Sequence, residues 1–361
     1  MKKTKWYFIL ALICLLAALV VLAWQQEWIF PSNSPYPASP LTEARFQRIP
    51  LAKPLSSYRS EISSMAWYGD ILILVPQYPG FYDGQKSADG ALFALSKENL
   101  AAYLNGEING PLTPQMIPFS APGLNQVIDD FDGFEGIAFH GEKMFLTIEA
   151  VDRRGATGFL VSGQIAPDLS SASVDMTSIQ PLEAQARRNN KSDETIFVAG
   201  DRVITLYEVN GARINTEPFG RVFTLDLQGP LRIPLPHIEY RITDATAPDE
   251  DGRFWVINMH WLGEPVYHSD DDPLAMQFGE GRSHARQENV ERLLELQYTP
   301  QGIVHTGRPP IYIQLSPLRI PRNWEALARL DDDARNLHGF LIATDKYPGT
   351  VFAFIPDPEW K

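Results

Sequence analysis

Acidic residues stand at both ends of short apolar segments in this chain. The stretch "FEGIAFHGEKMFLTIEA", residues 134 to 150, has one acid near its start and another near its end, with "HGEK" between them. The same order of acid, apolar strand, Gly or Asp turn, apolar strand and polar residue recurs along the chain. The bounding pairs are Glu61 with Gln77, Glu135 with Glu149, Glu194 with Glu208, Asp244 with Asn258, and Glu325 with Asp345.

The turn in each segment falls midway between its two polar residues, which predicts a β-hairpin with those residues facing each other at the open end. Opposite side chains lie about 5 Å apart, and like charges so placed repel each other. Carboxylates crowded in this way raise one another's pKa values unless a cation neutralises them. An oxygen-only ligand set suits Ca²⁺, or else Mg²⁺, so these residues predict a metal site. The alternative is that the acids are solvated or pair with Arg and Lys from nearby loops.

Basic side chains follow the second polar residue in several of these segments. Arg153 and Arg154 come after Glu149, His260 after Asn258, and Lys346 after Asp345. Together with a cation they predict a site for a phosphate or carboxylate group, in which the metal neutralises charge and activates water. Local salt bridges to the neighbouring acids are the alternative interpretation.

Each hairpin segment is followed by further short strands, such as "GFLVSG" from Gly158 and "RVFTLDL" from Arg221. Repeated units of four strands are typical of a β-propeller, and the chain predicts an all-β propeller of five four-stranded blades. The last unit ends at its third strand, so "RIPLAKPL", residues 48 to 55, is predicted to complete the fifth blade and close the ring. Two packed β-sandwiches are the alternative fold.

The N-terminus differs from the rest of the chain. Residues 1–30 carry lysines and then an uncharged apolar run from Trp6 to Trp24, which predicts a signal anchor or transmembrane helix, with cleavage left open. Residues 31–44 are rich in Pro and Ser and predict a spacer. The propeller domain is then expected at 45–361, with an insertion at 261–291 that could cover one end of the channel.

Charge and cysteine content limit the partners and the location. The net charge of −13 argues against nucleic acid as a partner. The only cysteine, Cys14, lies in the apolar run, so disulfides are excluded from the predicted domain. We expect a single-pass protein of the bacterial inner membrane whose domain faces the periplasm or exterior, or a periplasmic protein if the N-terminal segment is cleaved.

The hairpin stretch quoted first and "NWEALARLDDDARNLHGFLIATDKYPGTVFAFIP" resemble the blades of phytase-like (esterase-like activity of phytase) propellers and their SdiA-regulated relatives. Those families repeat an N/D-F-E-G-[IL]-A strand, a turn and a strand that ends in a carboxylate. Glu135, Glu149, Glu325 and Asp345 fall on this pattern. The resemblance implies an exported propeller that binds calcium and hydrolyses esters or phosphoesters.

The sequence therefore predicts a metal-dependent hydrolase of a phosphorylated or carboxylated small ester. The alternative is a non-catalytic propeller that holds a structural calcium ion and binds a cell-envelope polymer or a partner protein. A glycosidase is a third hypothesis, and it requires two carboxylates at a defined separation across the channel. A serine esterase is disfavoured because the chain has no G-x-S-x-G motif.

Overall fold

The structure, a computed structural model, describes residues 41–84, 86–153, 155–186 and 191–358. These residues form an all-β, propeller-like fold with three short helices, α1 (Lys97–Leu104), α2 (Leu124–Val127) and α3 (Pro273–Phe278). The predicted membrane segment, residues 1–30, and most of the spacer lie outside the described residues. Within the described ranges, no helix has the length and apolar character needed to cross a membrane.

The strands are short and follow the predicted hairpins. Strands β1 to β5 are Gln47–Arg48, Ile62–Tyr68, Ile71–Pro76, Gly90–Ser96 and Gln115–Ser120. Strands β6 to β10 are Phe131–His140, Lys143–Asp152, Gly155–Ile165, Ala172–Val174 and Gln180–Leu182. Strands β11 to β14 are Asp193–Ala199, Arg202–Tyr207, Phe219–Thr224 and Leu231–Pro234. Strands β15 to β19 are Arg241–Ala245, Arg253–His260, Val290–Thr299, Gly302–His305 and Ile311–Tyr312. Strands β20 to β22 are Trp324–Asp332, Leu337–Thr344 and Phe352–Pro356.

Antiparallel sheets follow one another along the chain. Strands β2 to β5 and β6 to β9 form two such runs, which a short parallel pairing of β5 with β9 joins into one sheet. Strands β11 to β14 form the next sheet, and β15 to β18 form another, with β19 also paired to β17. The last sheet has the order β1, β22, β21, β20.

The first strands of the hairpins form a closed ring around a central channel. Strand β2 packs against β6, β6 against β11, β11 against β15, β15 against β20, and β20 against β2. Two packed β-sandwiches would instead place sheets face to face in pairs. The sandwich alternative is therefore wrong, and the channel lined by first strands is present as the propeller prediction requires.

The N-terminal strand lies on the last sheet, as the sequence predicts, but it is shorter than expected. Gln47 pairs with Phe354 and Arg48 with Ala353, and the N–H of Ile49 donates to the carbonyl of Phe352 at 2.8 Å. The predicted strand at 48–55 does not continue beyond this point. Pro50 and Pro54 follow, and proline has no N–H to donate to a ladder.

Both faces of the sheets are buried, which explains why the strands read as continuous apolar runs. On β3, Leu72 and Leu74 pack toward the last sheet, whereas Ile73 and Val75 pack toward β6 to β9. Successive side chains of a strand point to opposite faces. Each sheet is thus held rigidly from both sides, and the ring of first strands is fixed in place.

Glycine sets several of the hairpin turns. Gly69, Gly141 and Gly200 each begin a tight turn between first and second strands and have φ between 57° and 59°. A positive φ at the first central position of a two-residue hairpin favours glycine strongly. These turns are why the hairpins can be predicted from the sequence.

A different glycine, Gly136, allows β6 and β11 to approach each other closely. A Cβ at Gly136 would lie 2.6 Å from the carbonyl oxygen of Glu194 and 2.6 Å from Oγ1 of Thr147. We expect Gly136→Ala to destabilise the fold by about 1–3 kcal/mol, because the two strands must move apart. Urea unfolding measures this effect. Gly158→Ala is the control, since its Cβ would meet nothing nearer than 3.3 Å; equal stability of the two variants would contradict the prediction.

Candidate functional site

Each strand of the central ring carries a shift in its pairing register, and the shifts determine where the acids lie. On β6, β11 and β20 the residues left without a partner across the hairpin include Glu135, Glu194 and Glu325, and a second shift on β6 leaves out Asp132. The shift falls at Ser63 on β2 and within 243–244 on β15. A β-bulge re-aims the side chain of its extra residue. Three glutamates are thus presented to the channel at matching positions of three strands.

The second polar residues lie on the adjoining strands, at the same end of the channel. Their backbone pairing differs from the predicted acid-to-acid opposition, except in the first hairpin. The facing pairs are Gln77 with Glu61, Glu149 with Gly133, Glu208 with Ser192, and Asp345 with Asn323. The bulge accounts for the difference, because the extra residue in the first strand moves the pairing partner. Hereafter the acid cluster means Glu61, Glu135, Glu149, Glu194, Glu208, Glu325 and Asp345.

Glu208 is the carboxylate held by buried cations. Its Oε1 accepts from Nζ of Lys191 at 2.9 Å and from a terminal guanidinium nitrogen of Arg241 at 2.6 Å. All three side chains are nearly or fully buried. Burial lowers the pKa of Lys191, but the charges of Glu208 and Glu194 and the hydrogen bond to Glu208 together outweigh burial, and the net pKa is raised. Lys191 therefore stays charged beside Glu208.

Arg241 extends this network to the insertion and to the last sheet. Its Nε lies 2.9 Å from Oε2 of Glu264, whose other oxygen is 3.0 Å from Nδ1 of His260. Its terminal nitrogen donates to Oδ1 of Asn323 at 2.8 Å, and Asn323 in turn donates to Glu325. Burial raises the pKa of Glu264, but Arg241 and His260 outweigh burial and the net pKa is lowered. Glu264 thus brings the predicted insertion into contact with the acid cluster.

Several buried polar atoms around β7, β11 and β12 have no hydrogen-bond partner in the part of the chain that the structure describes. They are Oγ1 of Thr147, Oε1 of Glu149, Oγ of Ser192, Oε2 of Glu194, Oγ1 of Thr195, Oε2 of Glu208 and Oδ1 of Asn210. Buried polar groups are normally hydrogen-bonded. Unpaired oxygens concentrated at one place indicate a site that takes up protons, water or a cation.

The acid cluster holds carboxyl groups in different protonation states. Burial raises the pKa of Glu149 to about 7, and the charge of Glu208 acts in the same direction. Burial, followed by the charge of Glu208, raises the pKa of Glu194 well above its usual value. Burial, followed by the charges of Glu149 and Glu325, does the same for the pKa of Glu135, although Gln77 donates to Glu135 at 3.1 Å. Burial therefore favours the protonated forms of Glu135 and Glu194, whereas Glu208 is paired with cations.

The more accessible side of the acid cluster lies at Glu61, Glu325 and Asp345. Glu325 and Asp345 are half-buried, and the Glu61 side chain is 13% exposed. Burial, followed by the charge of Asp345, raises the pKa of Glu325 well above its usual value. Burial also raises the pKa of Asp345, but the backbone N–H of Tyr347 donates to Oδ1 at 3.0 Å and opposes the rise. A carboxyl group whose pKa burial raises strongly and one that accepts from a backbone N–H are thus neighbours.

Asp244 and Asn258, predicted with the other acids, have structural contacts elsewhere. Oδ2 of Asp244 accepts from the backbone N–H of Leu327 at 2.8 Å and from Oγ of Ser64 at 3.2 Å. Asn258 donates to backbone carbonyls on and before β15, and its Oδ1 accepts from Nε of Arg292 at 2.8 Å. These contacts join strands within the channel wall and within one sheet.

The predicted substrate-binding cations are distributed unevenly. His260 is 7% exposed and contacts Glu264, whereas Lys346 is exposed and lies 3.6 Å from Glu61. Arg153 directly follows the end of β7, and Arg154 lies outside the described residues. Among the described residues, the cations that contact the acid cluster most closely are Lys191 and Arg241, which are not among the predicted residues. Neither belongs to the pattern of paired acids, so sequence spacing gave no signal for them.

Within the described ranges, no group of three or more His, Cys, Asp or Glu side chains is arranged as it stands to hold a metal ion. The acid cluster brings carboxylates together, but Lys191 and Arg241 already neutralise part of it. A cation site would therefore require some of the side chains with unpaired oxygens to rotate toward one another.

No family profile matches the chain, and no curated protein matches it either. Similar solved structures include a thermostable family-43 glycoside hydrolase, at 12% identity and TM-score 0.47 over 84% of this chain and 91% of that one. A putative glycoside hydrolase from Parabacteroides distasonis has 10% identity and TM-score 0.47 over 89% and 98%. An α-L-arabinanase mutant from Cellvibrio cellulosa has 11% identity and TM-score 0.44 over 82% and 91%.

These similarities correct the family resemblance drawn from the sequence. The structures named above are glycoside hydrolases and an arabinanase, not phytase-like or SdiA-regulated proteins. Membership of the phytase-like family is therefore wrong. The similarities are too distant to support an activity for this chain, which has to be inferred from the acid cluster itself.

The two protonation states in the acid cluster predict opposite effects of two similar substitutions. The pKa of Glu149 in the folded protein is about 7, above its usual 4.5. The folded state therefore holds a proton that the unfolded state has released, and the free energy of unfolding falls as pH rises from about 4.5 to about 7. Glu149→Gln removes that loss and should be more stable than the parent at about pH 8, by about 2 kcal/mol, with no such gain at about pH 4. Urea unfolding at the two pH values measures the difference.

Glu208→Gln is the matched comparison and should have the opposite sign. It leaves Lys191 and Arg241 buried without their shared counter-charge, which should cost about 3 kcal/mol. If both variants lost the same stability at about pH 8, the assignment of a neutral and an ionised carboxyl would be contradicted.

Proposed function

We propose that the protein is a hydrolase that cleaves glycosidic bonds by acid–base catalysis at the acid cluster. The observation that carries the proposal is the pair of neighbouring carboxyls near the opening, Glu325 and Asp345. Burial raises the pKa of both, well above the usual value for Glu325, whereas for Asp345 the backbone N–H of Tyr347 opposes the rise. Two carboxyls in different protonation states are what glycoside hydrolysis requires.

In this mechanism Glu325 donates a proton to the leaving oxygen, and Asp345 activates water or attacks the anomeric carbon. Asn323 donates to Glu325 and accepts from Arg241, so it fixes the orientation of the Glu325 carboxyl. Arg241 is itself held by Glu208 and Glu264. The proton donor is thus supported by side chains whose own positions are fixed.

The charge of the site favours an uncharged substrate over the anionic ester predicted from the sequence. The cations around the acid cluster contact carboxylates, as Lys191 and Arg241 contact Glu208 and Lys346 approaches Glu61. A phosphorylated or carboxylated substrate would lie beside Asp345 and Glu61, which repel an anion when they are ionised. A neutral sugar has hydroxyl groups that can donate to those acids without such repulsion.

Initial rates with neutral aryl glycosides and with aryl phosphates test the proposal. We expect glycoside cleavage, and we expect Glu325→Gln to lower kcat/KM by about 10²–10⁴, the usual contribution of a proton donor. Asp345→Asn should cause a loss of similar order. Glu142→Gln, an exposed acid in the hairpin turn at the other end of β6 and β7, is the control and should be unchanged. Cleavage of aryl phosphates but not glycosides would overturn the proposal.

A cation site is a second candidate, favoured by the unpaired oxygens of Glu149, Glu194 and Glu208. Oxygen ligands of this kind suit Ca²⁺ better than a transition metal. The site would be structural or would assist binding, and it is compatible with a glycosidase.

Thermal unfolding of residues 31–361 with calcium, magnesium or chelator tests this second candidate. Calcium should raise the midpoint in a concentration-dependent way, because a ligand that binds only the folded state stabilises it. The double variant Glu149→Gln with Glu194→Gln should abolish the rise. If metal does not change the unfolding midpoint of the parent, the cation site is excluded. The unpaired oxygens would then bind protons or water.

We also propose, from the sequence, that the domain is exported and tethered by residues 1–30, and that each first strand with its sheet is one of five blades. The ring of β2, β6, β11, β15 and β20 supports the blade count. A tethered domain outside the cell membrane would meet envelope or environmental polysaccharides, which suits the proposed substrate.

A further inference from the structure

A second site lies at the other end of the molecule from the acid cluster. A cavity of about 580 Å³ opens between the sheet of β15 to β18 and the sheet of β20 to β22. It is lined by the turn at 246–249, which follows β15, and by residues near the end of β20 and the start of β21. The acid cluster, in contrast, lies where the first strands begin. The volume falls within the usual 300–1,000 Å³ of small-molecule sites.

The wall of this cavity is a network of alternating guanidinium and carboxylate groups. One nitrogen of Arg308 and one of Arg329 each lie 2.8 Å from Asp357, on different oxygens. Arg308 also donates to Glu295 at 3.2 Å, and Arg329 donates through Nε to Asp331 at 3.1 Å. Asp357 and Glu295 are nearly buried, with side-chain exposures of 4% and 11%. The groups are therefore positioned by one another before any ligand arrives.

Aromatic rings contact the guanidinium groups of Arg308 and Arg329. The guanidinium of Arg308 lies 4.6 Å from the ring centroid of Trp255, and that of Arg329 lies 4.8 Å from the ring of Phe340. The two rings contact each other at 4.9 Å in an edge-to-face arrangement. Stacked guanidinium groups of this kind lose little further freedom on binding.

A histidine completes the wall on the side of the last sheet. His338 is 6% exposed, with Nδ1 at 3.0 Å from Asp331 and Nε2 at 3.4 Å from Asp333. Asp331 is thus shared between His338 and Arg329. The cavity is lined by charged groups of both signs, and its carboxylates outnumber its guanidinium groups.

We propose that this cavity binds an uncharged polyhydroxylated ligand, a mono- or disaccharide. Adjacent hydroxyl groups of a sugar can each donate to a carboxylate and accept from a guanidinium, so they match alternating pairs such as Arg329 with Asp331. Hydrogen bonds to charged groups are the stronger ones, and they give such a site both affinity and orientation. Binding of a neutral sugar leaves every ion pair of the wall intact.

Charged ligands fit the wall less well. A carboxylate or phosphate would have to displace Asp357 from Arg308 and Arg329, or lie beside uncompensated carboxylates. An amine would have to approach those two guanidinium groups. Leaving one member of a buried ion pair without its partner is costly. The excess of carboxylates therefore selects against an anion, and the two guanidinium groups that share Asp357 oppose a cation at that point.

Calorimetric titration with neutral mono- and disaccharides, an amino sugar, a uronic acid and inorganic phosphate tests the proposal. The titrations use the Glu325→Gln background, so that hydrolysis at the acid cluster does not consume the sugar. We expect saturable binding of a neutral sugar, and about a tenfold loss of affinity, about 1.4 kcal/mol, in Arg329→Met and in Asp331→Asn. Arg335→Met is the control, because Arg335 lies in the turn between β20 and β21 but contacts Glu98 and Glu107 outside the cavity.

The outcomes separate this site from the proposed activity. Sugar binding that survives in Glu325→Gln and falls in Arg329→Met supports the cavity, whether or not the protein cleaves glycosides. Sugar binding that is equal in Arg329→Met and Arg335→Met would overturn the proposal, as would binding of the phosphate or the amino sugar alone. Failure of every sugar to bind would overturn it as well, without bearing on cleavage by the parent.

Discussion

The constraint on which the rest of the site depends is the burial of several carboxyl groups at one end of a closed channel, with Lys191 and Arg241 as their buried partners. Ionised carboxylates cannot all be buried together, so some must hold protons. Both cations contact Glu208, and burial raises the pKa values of Glu135, Glu194 and Glu325 well above normal, which favours their protonated forms. The fold tolerates the free-energy cost of burying these carboxyl groups because both faces of its sheets are apolar.

The bulges are what allow carboxyl groups into the channel without breaking the ring. Each register shift frees a backbone N–H, and neighbouring side chains accept two of them. Oγ of Ser64 accepts from Ile137 at 3.2 Å, and Oδ2 of Asp244 accepts from Leu327 at 2.8 Å. Ser64 also donates to Asp244 across the channel at 3.2 Å. Asp244 therefore stabilises the ring and is not available as a ligand with the other acids.

The sequence is informative about the hairpins and much less so about pairing across them. Glycines such as Gly141 lie between apolar runs and allow a tight turn through their own backbone geometry. Turns and strands of this kind can therefore be predicted from the sequence. A single extra residue in a strand changes which side chains face each other, and nothing near Glu135 shows that it is the extra residue. Lys191 and Arg241 come from segments outside the acid pattern, and only the closed ring brings them to Glu208. The family resemblance failed for a related reason, since a strand motif shared by many propellers does not determine the chemistry of the channel.

Buried charged groups are arranged differently at the two ends of the ring. At the acid cluster carboxyls outnumber cations, so protonation varies and oxygens remain unpaired, which is a costly arrangement that suits proton transfer. At the cavity beside Trp255, Arg308 and Arg329 each pair with two carboxylates and share Asp357, so the groups hold one another in place and suit recognition. Glu325 and Asp331 lie near opposite ends of β20, so the two sites are separated along that strand. Substitutions that change protonation at Glu325 can therefore leave the charges around Asp357 undisturbed, which allows one fold to hold a reactive site and a recognition site.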